Sequence, residues 1–246
     1  MTVIPTIDLV DALAAEYADK SPREILELAL SQQGEIAISF SGAEDVVLID
    51  IASRLGKPFR VFSLDTGRLH AETYQFIETV RKHYNINIEI CFPESAAVQQ
   101  LVNEKGLFSF FEDGHQECCG VRKVQPLRKK LATLDGWITG QRKDQSPTRS
   151  DVPVIQADVG FSGEGKQLIK YNPLANWSSA DVWSYIRMME IPYNPHCMSV
   201  VLSRLVVNRV LALYCQTNMN VTAAGGGKRQ PIRNVACMRA ILKNKP

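Results

Sequence analysis

Residues Glu35–Asp45 read EIAISFSGAED, and no other stretch restricts the fold as much. Ile36, Ala37 and Ile38 form a short apolar run. Small, turn-forming residues follow at Ser39-Phe40-Ser41-Gly42-Ala43, and Glu44 then opens an apolar-periodic segment continuing through Asp45. That order specifies a buried strand, a tight turn and a helix start. Gly42 lets the backbone approach a ligand closely. Two hydroxyls and the first free helix N–H groups offer hydrogen bonds to an anion, a phosphate or its sulfuryl analogue. No Gly-Lys-Ser/Thr follows, so this is not a Walker A loop. An ordinary strand–helix turn capped by Ser41 would use the same residues.

Similar alternation runs along the chain. Ile7–Asp19 has helical spacing, and Ser21-Pro22-Arg23-Glu24 is a capping box that starts a second helix ending near Gly34. Helices are expected at Asp45–Leu55, Ala71–His83, Ser95–Glu104, Val121–Leu131 and Ser178–Met189. Strands are expected at Phe59–Leu64, Ile86–Cys91 and Trp137–Gly140, with edge strands at Pro153–Gln156 and Leu168–Tyr171. Strands alternating with helices predict an α/β fold with a doubly wound parallel sheet. Ligands then sit beyond the carboxyl ends of the strands, so Ser39–Gly42, Asp65–Arg68 and Gly140–Arg142 should converge on one crevice.

Those strand ends carry the polar chemistry. Leu64-Asp65-Thr66-Gly67-Arg68 combines a carboxylate for a ribose or base amine with a guanidinium for a phosphate; a helix-capping turn with a solvated Arg would look the same. Gly140–Arg149 reads as a flexible arm with Arg142, Lys143 and Arg149 as cations, and Arg forks match phosphate and sulfate. Cys118-Cys119 is the sharpest feature. Adjacent cysteines are poorly spaced for a mutual disulfide, whereas two thiolates at a helix start suit half of an iron–sulfur site. Two buried, reduced thiols are the plainer alternative. Lys123 and the loop residue His115 lie within reach of an anion there.

Charge is divided abruptly. Residues 1–195 hold all 26 acidic residues and 20 of the 28 Lys and Arg, a net charge of −6; residues 196–246 hold eight Lys and Arg and no acid. A basic tail can bind nucleic acid, but this one lacks a clustered patch. No apolar run reaches membrane-spanning length, and the amino-terminal stretch lacks a signal peptide's basic start, which places the chain in the cytoplasm. Six cysteines there favour metal or redox chemistry over a disulfide framework.

Taken together, SFSGAED, LDTGRLHAETY, EKGLFSF, ECCGVRK, TGQRKDQSPTRS and NPLANWSSADVWSYI resemble the assimilatory adenosine 5′-phosphosulfate (APS) reductases, within the phosphoadenosine phosphosulfate (PAPS) reductase family. The resemblance covers about residues 8–195 and implies the PP-loop, adenine-nucleotide α-hydrolase-like fold. It also implies reduction of APS to sulfite and AMP by reduced thioredoxin, through thiolate attack on the sulfonyl sulfur. Ser39–Asp45 and Arg149 would hold the phosphosulfate end, Leu64–Arg68 and Gly140 would line the adenosine, and Lys123 and His115 would face the sulfate. Cys118 and Cys119 would be two of four [4Fe–4S] ligands. No nucleic acid or membrane partner is implied, and self-association into a homo-oligomer stays open.

After Tyr193-Asn194 the resemblance stops. The family's C-x-x-C, tryptophan triplet and E-C-G-L-H are absent; Cys197, Cys215 and Cys237 stand in other contexts, and Cys237 is only a weak match to the nucleophile. The domain reading is therefore 1–195, with 196–246 an atypical basic tail. A reading-frame slip near residue 195 accounts for it. Under one common offset, suitable codons for Val206–Val210, Ala224–Arg229 and Arg233–Met238 read G-C-E-P-C, W-W-W-E-E and E-C-G-L-H. The chain as written is expected to be an impaired reductase. The competing readings are a PAPS reductase, an ATP-pyrophosphatase relative, and an inactive nucleotide-binding relative.

Overall fold

The computed structural model describes residues 7–42, 44–112, 116–163 and 166–194. In chain order the elements are α1 (Ile7–Glu16), α2 (Pro22–Ser31), β1 (Ile36–Ser39), α3 (Val46–Leu55), β2 (Arg60–Leu64), α4 (Ala71–Tyr84), β3 (Ile88–Cys91), α5 (Ser95–Lys105), α6 (Ser109–Glu112) and α7 (Gln116–Cys119). A π-helical turn (Gly120–Val124), α8 (Gln125–Leu131), β4 (Gly136–Ile138), β5 (Ile155–Ala157), β6 (Ile169–Tyr171) and α9 (Ser179–Met188) complete them. The expected capping box of Ser21 with Glu24 starts α2, and a second one, Ser178 with Asp181, starts α9.

The six strands make one sheet in the order β3-β2-β1-β4-β6-β5, parallel except for the antiparallel β5. Successive residues in a strand face opposite sides, and both sides are covered, as parallel sheets require. Ile38, Val61 and Ile138 belong to the larger core, together with residues of α2, α3, α4 and α9. Their neighbours Ala37, Phe62 and Trp137 pack with Leu127 and Leu131 of α8 in a smaller one. The expected doubly wound α/β fold is the observed one.

Three expectations need correction. Leu168–Tyr171 is not an edge strand: β6 lies inside the sheet, pairing with β4 on one side and β5 on the other. The segment after β4 is not a flexible arm, because it folds into two 3-10 turns, Lys143–Gln145 and Pro147–Arg149. The helix expected from Val121 begins earlier, at Gln116, so Cys118 and Cys119 lie inside helical backbone that continues through the π turn into α8. The tail 196–246 lies outside the described residues, with Cys197, Cys215 and Cys237, as do Ala43 and His115.

Candidate functional site

β1 and β4 lie side by side, but the chain leaves β1 for β2 and β3 on one flank and leaves β4 for β5 and β6 on the other. Such a reversal opens a crevice at the carboxyl ends of the two strands. Residues 39–45 and 139–142 meet there, and the end of β2 (64–68) is the next tip along the same edge. The β1 and β4 ends therefore meet as expected, whereas the β2 tip lies one strand away along the same edge, beside a separate cavity.

Within the crevice, the loop donors are already engaged. Asp45 turns back, and its Oδ2 accepts from the Ser41 N–H (2.8 Å), the Ser41 hydroxyl (2.8 Å) and the Gly42 N–H (3.0 Å). Burial pushes the Asp45 carboxyl above its ordinary pKa, against the lowering effect of the Ser41 hydrogen bonds. Gly140 lies buried against this carboxylate, and Ser39 is half-buried at the end of β1.

Arg142 is also not a free cation. The residue is only 3% exposed, and its guanidinium pairs with Glu44 and with Asp144 (3.1 Å). Glu44 accepts in addition from the Ser179 hydroxyl (3.3 Å), and Asp144 from the Ser179 N–H (2.6 Å). This network ties the α3 start, the segment after β4 and the first residue of α9 together. Glu44 and Arg142 are thus paired with each other across the crevice. Arg149 is half-buried and donates to Gln145. Desolvation and the nearby Arg142 lower its pKa, while Asp45 raises it, so it shares the electrostatic neighbourhood of the loop.

At the β2 tip, Asp65 is buried and accepts from the Gly67 N–H (2.7 Å) and the Tyr74 hydroxyl (2.9 Å). Gly67 has φ +69°, the left-handed region that glycine adopts without strain. Arg68 is exposed and donates to the Leu107 carbonyl. Leu64 and Asp65 help line a cavity of about 140 Å³ with Tyr74, Ile90 and Phe92, one strand away from the β1/β4 crevice. Tyr74 and Ser179 are contributors that the sequence reading missed; both sit inside the motifs it quoted, LDTGRLHAETY and NPLANWSSADVWSYI.

Arg122 connects the twin cysteines to that tip. From the π turn it donates to the Thr66 carbonyl (2.9 Å), and its buried Nε has no hydrogen-bond partner. Cys118 is buried, Cys119 half-buried, and both are reduced; Lys123 is exposed beside them. A [4Fe–4S] cluster takes four thiolates. Among the described residues, no group of three or more His, Cys, Asp or Glu side chains is disposed to hold a metal ion. These residues therefore do not by themselves complete a cluster site. Nor is any helix among them long and apolar enough to cross a membrane.

A doubly wound parallel sheet with a small-residue turn at its switch point defines an α/β fold of the PP-loop nucleotide-binding class. The chain belongs to the phosphoadenosine phosphosulfate reductase domain family, which matches residues 35–197. It is 57% identical over 185 residues to the adenosine 5′-phosphosulfate reductase of Pseudomonas aeruginosa (strain LESB58), covering 74% of this chain and 69% of that one. It is 57% identical over 193 residues to the chloroplastic 5′-adenylylsulfate reductase 1 of Arabidopsis thaliana, covering 76% of this chain but only 42% of that longer one. Its fold is similar to that of a phosphoadenylyl-sulfate (PAPS) reductase from Candida auris, crystallised as a phosphate complex. The TM-score is 0.65 at 25% identity, over 79% of this chain and 92% of that one.

Proposed function

We propose that this chain reduces adenosine 5′-phosphosulfate to sulfite and AMP, with reduced thioredoxin as the electron donor. The reaction balances as a two-electron reduction. A dithiol becomes a disulfide, the bond between sulfur and the phosphate's bridging oxygen breaks, and AMP leaves with that oxygen. The observation that most supports this reading is the meeting of the Ser39–Asp45 turn with the end of β4 at the switch point. It stands alongside 57% identity to an enzyme named for APS. APS is preferred to PAPS because the similar curated proteins quoted above carry APS or adenylylsulfate in their names.

In this reading, the Ser41–Gly42 donors and Arg149 bind the phosphosulfate end. Leu64–Arg68 and Gly140 line the adenosine. Lys123, with His115 outside the described residues, faces the sulfate and supports the phosphate charge that develops as AMP leaves. Arg142, Glu44, Asp144 and Ser179 orient the arm that carries Arg149. Cys118 and Cys119 would supply two thiolates to the family's iron–sulfur cluster, whose role beside the sulfate would be structural and electrostatic.

The test measures APS binding together with sulfite and AMP release in the presence of reduced thioredoxin. The reading predicts APS binding and equimolar products, slowed in the chain as written. Replacing residues 196–246 by their shifted-frame translation should raise the rate. Absence of APS binding, or ATP consumption with pyrophosphate release, would contradict it.

A further inference from the structure

The donors of the Ser41–Gly42 turn are satisfied by a carboxylate from the same chain. Asp45 Oδ2 sits 2.8 Å from the Ser41 nitrogen, 2.8 Å from its hydroxyl and 3.0 Å from the Gly42 nitrogen. One oxygen with three convergent donors is how a phosphate or sulfate oxygen is held at such a turn. An incoming anion needs the same donors and meets a like charge at hydrogen-bonding range. We infer that Asp45 is a built-in competitor for the anion, so that filling the cradle requires this carboxylate to swing away or take up a proton. The inference rests on the adenylate reading only for the identity of the ligand.

The surroundings favour this coupling. Gly140 packs on Asp45 without contributing charge. Glu44 adds negative charge from the same helix start but is paired with Arg142, which also holds Asp144. Arg149 is a nearby cation that feels the Asp45 charge. Burial already favours the protonated carboxyl, and a bound dianion would favour it further. Asp45 therefore sets how strongly the cradle holds a charged group.

The test is Asp45→Asn, whose amide oxygen still accepts from Ser41 and Gly42 and so preserves the turn. Sulfate, which does not titrate between pH 5 and 8, and AMP are measured as ligands by calorimetry. D45N should bind sulfate about tenfold tighter than wild type at pH 8, the order expected for removing one close like charge. The gap should close as the pH falls and wild-type Asp45 becomes neutral. Equal or weaker sulfate affinity in a folded D45N overturns the inference, as Asp45 would then only brace the loop. If D45N does not fold, the wild type decides: a sulfate affinity that does not rise as pH falls also overturns it. If sulfate shows the effect while AMP does not bind, the inference stands and the adenylate reading falls. If AMP binds without an Asp45 effect on sulfate, the reverse holds, and binding of neither overturns both.

Discussion

Gly140, at the end of β4, and Asp45, at the start of α3, touch with no space for another carbon. A Cβ at position 140 would lie 3.1 Å from Asp45 Cγ and closer still to its Oδ1. Two strands of the switch point are thereby locked through a backbone and a carboxylate, 95 residues apart in sequence. Gly140→Ala should displace Asp45 from Ser41 and Gly42. Overpacking of this kind costs about 1–3 kcal/mol. Thermal unfolding should show that loss, and a wild-type midpoint would mean the contact yields freely.

The Arg142 network should behave as one unit. Arg142→Met leaves Glu44 and Asp144 without their shared cation, and their partial exposure keeps the cost to about 1–3 kcal/mol. In a double-mutant cycle with Glu44→Gln, the second substitution should cost much less than it does alone. Additive losses would show that the pair is not coupled.

Asp50 joins three helices: it accepts from Arg54 (2.7 Å), Tyr84 (3.1 Å) and Tyr185 (2.9 Å), on α3, α4 and α9. Asp50→Ala leaves two phenol hydroxyls to find other partners and should lower stability by about 2–3 kcal/mol in urea unfolding. In wild type, burial and the Asp50 charge push both phenols well above the ordinary tyrosine pKa.

Lys170, on β6, lies 5.0 Å from the Trp137 ring centre, and burial lowers its pKa to about 8 despite the opposing Asp158 charge. An unfolded lysine titrates near pH 10.4. Between these values the unfolded chain binds the extra proton, so this group makes stability rise with pH over that window. Folding free energies measured from pH 7.5 to 10.5 should carry that upward contribution in wild type and lack it in Lys170→Met. Parallel profiles would place the Lys170 pKa at its ordinary value.

Much of this architecture is legible because local chemistry decides it. Ser21 with Glu24 announces a helix start, and the apolar run Ile36–Ile38 ahead of a small-residue turn marks a buried strand. The site is less legible because its contacts are remote. Glu44 and Arg142 stand 98 positions apart, and both look like surface charges in the sequence. That Asp45 would reach back to occupy the turn's donors is a matter of side-chain direction, which residue type does not encode. The interior place of β6 follows from its pairing with β4, and short apolar runs do not distinguish an inner strand from an edge.

The reading-frame account of residues 196–246 makes a prediction of its own. Codons at Val206–Val210, Ala224–Arg229 and Arg233–Met238 should all be compatible with one common offset that yields the three family motifs. The coding nucleotide sequence checks this directly, and a single incompatible codon set ends the account.

In the proposed reaction the turn after β1 and the tips of β2 and β4 serve together as the cradle for a sulfated adenylate. Hydrogen–deuterium exchange of the whole chain, with and without APS, tests it most directly. APS should slow exchange at residues 39–45, 65–68 and 140–149 and leave the opposite edge of the sheet unchanged. Protection at that opposite edge, or none anywhere under saturating APS, would contradict it.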